Sequence, residues 1–113
     1  MKDIVYQSKQ LNIKIRQSNE YNHYIRAKNK LREDTELYNA VNDFGKKNFE
    51  LQSSSEDCNL FDEITALERE YEKVLNNSKV SEFLVAEQRI CRLMQDVYSS
   101  LADSLDFDFN FIN

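Results

Sequence analysis

His23, Cys58, Cys91 and a set of paired carboxylates are the residues of this chain whose types could carry chemistry. A serine–histidine–acid relay needs an imidazole to take the hydroxyl proton, and His23 is the only histidine in the sequence. It stands between Asn22 and Tyr24 in a predicted helix, the setting of an ordinary helix-surface histidine. Neither cysteine has a Cys-x-x-Cys partner, and one histidine cannot complete a zinc set within one chain. Cys91 falls on an apolar helix face and reads as a small core residue. Cys58 lies beside Asp57, whose charge disfavours a thiolate and so a nucleophile. The carboxylates Glu33-Asp34, Glu56-Asp57, Asp62-Glu63, Glu68, Glu70 and Glu72 mostly alternate with Lys or Arg, as in Glu68, Arg69, Glu72 and Lys73. That is the pattern of a solvated, charged helix face. One glycine cannot build a phosphate-cradling loop. The residues thus lead to no expected catalytic group, no metal site and no cofactor.

Glu87 stands apart. It projects from the middle of a broad apolar face on the stretch 78–105, formed by Val80, Phe83, Leu84, Ile90, Cys91, Leu93, Met94, Val97, Tyr98, Leu101 and Leu105. At about 100° per residue these positions cover roughly half the helix circumference. A surface helix of a monomer needs a narrower stripe, so the width calls for two neighbours, one of them from a second subunit. The expected interface residues are Leu84, Glu87, Met94, Tyr98 and Leu101. An ionised carboxylate among apolar neighbours is costly without a partner. Glu87 is therefore expected to be partly buried and hydrogen-bonded, setting the specificity of that helix interface.

The remaining elements follow from spacing and from capping residues. Residues 2–17 place Ile4, Ser8, Leu11 and Ile15 on one side of a first helix. Ser18 can cap a second, carrying Tyr21, Tyr24, Ala27, Lys28 and Leu31, and Asp34 is the natural cap of a third. The third, over 35–52, has the seam Leu37, Val41, Phe44, Asn48 and Leu51. Gly45 lies inside it, either permitting a close helix contact or merely tolerated. After the loop 53–59, a fourth helix over 60–76 repeats the seam with Leu60, Ile64, Leu67, Tyr71 and Val74, so the two read as an antiparallel hairpin. Asn76-Asn77-Ser78 then breaks the chain before the long final helix. The expected fold is all-α, one domain over 1–113 with about five helices arranged as a long antiparallel hairpin or bundle, self-associating. Residues 105–113 form an irregular, Phe-rich tail.

Composition agrees with this fold. There is no proline and a single glycine, too few turn residues for a β-rich chain. The formal charge is −5, and no Lys/Arg block exceeds Lys46-Lys47, so direct binding of nucleic acid is not expected, with a local basic face assembled by folding left open. No apolar run approaches the ~20 residues of a membrane span. The N-terminal residues lack a signal-peptide core, and two cysteines suit a reducing compartment; the expected location is the cytoplasm.

Two blocks, SNEYNHYIRAKNKLREDTELYNAVNDF and VSEFLVAEQRICRLMQDVYSSL, resemble the YlbF/YmcA family of small helical bacterial proteins, competence regulators that include YheA-like members. The pattern is Ser18, Glu20, Tyr21, Tyr24, Ala27, Leu31 and Asp34, then Val80, Phe83, Ala86, Glu87, Leu93, Val97 and Leu101, within about residues 4–105. The resemblance implies a self-associating cytoplasmic protein without catalytic residues. Its better-known members regulate competence, sporulation and biofilm formation in a complex that modulates ribonuclease Y and messenger-RNA processing. Some carry a tail cysteine linked to iron–sulfur binding. This chain ends in DFDFNFIN with no tail cysteine, so that property does not transfer. The expected function is a non-enzymatic regulatory adaptor whose partners are its own copies and proteins of the ribonuclease Y complex. The alternative is a structural oligomerisation subunit with no regulatory output.

Overall fold

The computed structural model of the chain describes residues 1–54, 59–103 and 105. Among these residues all regular structure is helical: α1 (Lys2–Arg16), α2 (Asn19–Arg32), α3 (Thr35–Ser54), α4 (Leu60–Glu70), α5 (Glu72–Leu75) and α6 (Ser78–Ala102). The all-α expectation holds, with one more helix than the spacing suggested. The extra element comes from a break at Tyr71, whose backbone (φ −104°, ψ 19°) leaves the helical region and separates α4 from α5. The apolar seam runs through the break unchanged, so periodicity gives no sign of it.

Polar side chains set the other boundaries. The Ser18 hydroxyl donates to the Ile15 carbonyl at 2.6 Å and accepts the Tyr21 N–H at 3.1 Å, closing α1 and opening α2. Asp34 Oδ1 accepts the Leu37 N–H at 3.1 Å at the head of α3. Asn77 Oδ1 accepts the Lys79 N–H at 2.9 Å at the head of α6. Arg32, at the end of α2, sits 5.6 Å from the centre of the Tyr38 ring in α3. Hydrogen bonding by Arg32, then by Asn42, holds the Tyr38 phenol below its usual pKa.

The chain forms two compact units, one spanning Ile25–Leu84 and the other made of Met1–Tyr24 with the residues from Val85 onward. The Ile25–Leu84 unit holds nearly all the fully buried apolar side chains: Ala27, Leu31, Val41, Leu67, Val80 and Phe83. Within it α3 packs along α4 and α5. Phe44 meets Tyr71 with ring centres 5.5 Å apart, Lys47 reaches Glu70 at 3.8 Å, and Leu51 shares a groove with Glu63. Rising numbers on α3 meet falling numbers on α4–α5, which is the expected antiparallel hairpin. Lys47 also lies 5.2 Å from the Tyr71 ring centre, and its ammonium is held above its ordinary pKa, chiefly by hydrogen bonding to Tyr71 and then by Glu70. Lys30 of α2 pairs with Glu82 of α6 at 3.5 Å, an exposed pair of modest value.

Gly45 resolves the choice left open by the sequence. A methyl group built on it meets nothing within 4 Å, so the glycine serves no close helix contact. Gly45→Ala should stabilise the protein by up to about 1 kcal/mol, because alanine loses less backbone freedom on entering a helix. A urea melt would check it; a lowered midpoint would show a need for glycine that the open space does not reveal.

Candidate functional site

The unit made of Met1–Tyr24 and the residues from Val85 onward is built differently. Ala86 is its one fully buried apolar residue among the described residues, and α1 buries none. α1, the start of α2 and most of α6 enclose little core, so many of their apolar side chains stay open. Ile4 is 74% exposed, and Val5, Tyr6, Ile13, Val85, Tyr98, Leu101 and Leu105 are also exposed. Where α1 and α6 face each other, Ile4, Ser8 and Leu11 line an open groove of about 500 Å³ with Leu101. The first-helix face read from the sequence is therefore the face turned toward α6.

The wide arc of α6 divides into two stripes. Ala86, Ile90, Leu93 and Val97 are buried or half-buried. Beside them run Glu87, Cys91, Met94, Tyr98 and Leu101, at intervals of four, three, four and three residues. This is the spacing that keeps one seam facing a partner helix. Met94 is half-buried, Tyr98 and Leu101 are 50% and 54% exposed, and Leu84, in the other unit, is half-buried. Glu87 is exposed, which departs from the partial burial expected of it. Cys91 is also exposed, so the core role expected for it is wrong. It lies in the second stripe, with Met94 and Tyr98, lining a shallow depression there.

The remaining chemical candidates do not converge. His23 is half-buried, and the Arg89 guanidinium donates to its Nδ1 at 3.1 Å, which occupies that lone pair. Glu20 and His23 have Glu-x-x-His spacing, but among the described residues no three His, Cys, Asp or Glu side chains gather as a metal-binding group. Cys58, Glu56 and Asp57 lie outside the described residues. Among those described, no helix is long and apolar enough to cross a membrane.

Basic residues line up on the surface of α1 without being neighbours in the sequence. Lys2, Lys9 and Arg16 stand seven residues apart, which puts them in one line along α1, and all three are exposed. The first 32 residues hold eight Lys/Arg against two Asp/Glu, whereas the rest hold seven against eighteen. A net charge averages this asymmetry away; counting by element exposes it.

A family model described as "Control of competence regulator ComK, YlbF/YmcA" matches residues 4–106. The chain belongs to the YlbF/YmcA family. Among curated relatives, a UPF0342 protein of Caldicellulosiruptor bescii is 31% identical over 93% of this chain and 87% of its own length. A UPF0342 protein of Desulfitobacterium hafniense is 32% identical over 87% of this chain and 81% of its own. One from Symbiobacterium thermophilum is 27% identical over 86% and 88%. No solved structure matches the chain significantly. Both stripes of α6, and α1 from Ile4 onward, fall within the part that matches the YlbF/YmcA family.

Proposed function

We propose that this YlbF/YmcA-family protein is a non-enzymatic regulatory adaptor of the cytoplasm, working as a homodimer or higher symmetric oligomer paired through α6. The observation that carries the pairing is the exposed seam Glu87, Cys91, Met94, Tyr98 and Leu101, in a unit whose fully buried apolar residue, among those described, is Ala86 alone. A 4-3-4-3 stripe left open on one chain gains its enclosure from a second helix. In that arrangement Glu87 lies in the contact and Leu84 beside it. The regulatory role rests on membership of a family described as controlling the competence regulator ComK.

The proposed partner class, taken from the role of the better-known members of the family, is the messenger-RNA decay machinery built around ribonuclease Y. Its effects on transcripts are then indirect, through where that nuclease acts and on what. The test compares processed transcript ends in cells with and without the gene, together with ComK-dependent competence in a host that has it. Altered ends with an intact nuclease support the assignment. Unchanged ends remove the ribonuclease Y link while leaving a self-associating adaptor.

A further inference from the structure

The outer face of α1 points to a second docking surface, separate from the α6 seam. Ile4, Ser8 and Leu11 turn toward the groove shared with Leu101. The opposite side of the same helix carries Val5 (47% exposed), Tyr6 (59%) and Ile13 (46%), with Lys2, Lys9 and Arg16 between them. Among the described residues none of these three cations forms an ion pair. At 1.5 Å per residue they make a ladder with rungs about 10.5 Å apart. Each pair of rungs is separated by apolar side chains.

We infer that this face holds an acidic amphipathic helix of another protein, its carboxylates seven residues apart and its apolar residues set against Val5, Tyr6 and Ile13. The inference deepens the adaptor reading, on which it rests, by giving the partner a chemistry. A partner helix has the same rise per residue, so carboxylates at its own heptad spacing meet all three cations in register. An anionic membrane fits the face less well. The cations run down its centre, so burying Val5 and Ile13 among acyl chains would draw the charges in with them; interfacial helices keep charges on the opposite side. Nucleic acid fits less well again: three cations neutralise few phosphates, and the apolar residues between them would face a charged backbone.

The test uses the full-length protein and a helical peptide with glutamate at every seventh position and leucine beside each, compared with its Glu→Lys counterpart. Binding is read by fluorescence anisotropy at 50 and 500 mM NaCl. The glutamate peptide should bind, more weakly at high salt, and the lysine peptide should not. The combined Lys2→Glu, Lys9→Glu and Arg16→Glu variant should lose at least about tenfold in affinity for the glutamate peptide and gain it for the lysine peptide, a swap that mere damage to α1 would not produce. Its sedimentation should match the parent, since α6 is untouched. Equal binding of both peptides, or no effect of the reversal, would overturn the inference. So would tighter binding of phosphatidylglycerol vesicles or single-stranded RNA through the same three residues, or loss of self-association on reversal. Loss of the α6 pairing alone, with peptide binding kept, would count against the oligomer and not against this face.

Discussion

Leu31→Ala is expected to lower the stability of the protein by about 2–5 kcal/mol, the range for emptying a fully enclosed leucine site. Leu31 and Val80 are the largest side chains fully withdrawn from solvent, and both lie in the Ile25–Leu84 unit that holds most of the core. Small domains have roughly 5–15 kcal/mol in total, so the loss should show as a large drop in the urea midpoint. Phe49→Ala is the control. That ring is larger, but it is 71% exposed, and its removal should change stability by less than about 0.5 kcal/mol. If the two variants melt alike, the core has been placed in the wrong part of the chain.

If the chain pairs through α6 as proposed, a double change of Tyr98→Asp and Leu101→Asp should separate the copies while leaving each chain folded. Both side chains are about half exposed on the single chain, so the charges are tolerated there. In a paired seam two carboxylates would lose their water without gaining partners. The expected weakening is on the order of a hundredfold or more, each tenfold corresponding to about 1.4 kcal/mol. Sedimentation velocity over a concentration series would read it, with circular dichroism confirming unchanged helix content. A variant that sediments like the parent would remove α6 from the interface.

Much of the fold was legible because this chain builds its boundaries from side chains. Ser18, Asp34 and Asn77 each accept a backbone N–H two or three residues on, and residues of that type between apolar-periodic stretches are a local signal. The break at Tyr71 was not legible. Leu67, Tyr71 and Val74 keep their spacing through it, and the ring contact with Phe44 is made across the hairpin. Cys91 was misplaced for a related reason. Polarity marks the whole arc of α6 as apolar, but cannot say which part of it the chain's own helices cover. Burial in the folded chain makes that choice: Ala86 is buried and Leu93 half-buried, whereas Cys91 and Tyr98 are exposed. The basic ladder of α1 was missed because it is contiguous only on the helix surface, never in the linear sequence.

The exposed position of Cys91 offers a clock for the proposed pairing. If two copies pair through the α6 seam, a thiol that stands in solvent on one chain would lie in the middle of that seam and react with a maleimide only while the pair is apart. With Cys58 changed to serine, the labelling rate at saturating reagent would approach the rate at which two copies separate. Labelling in the presence of a candidate partner would then show whether that partner lengthens or shortens the lifetime of the pair. In that pairing the same atom would also be a chemical vulnerability: a bulky adduct at the centre of the stripe would keep that copy out of the assembly, and oxidation would act on the free chains first.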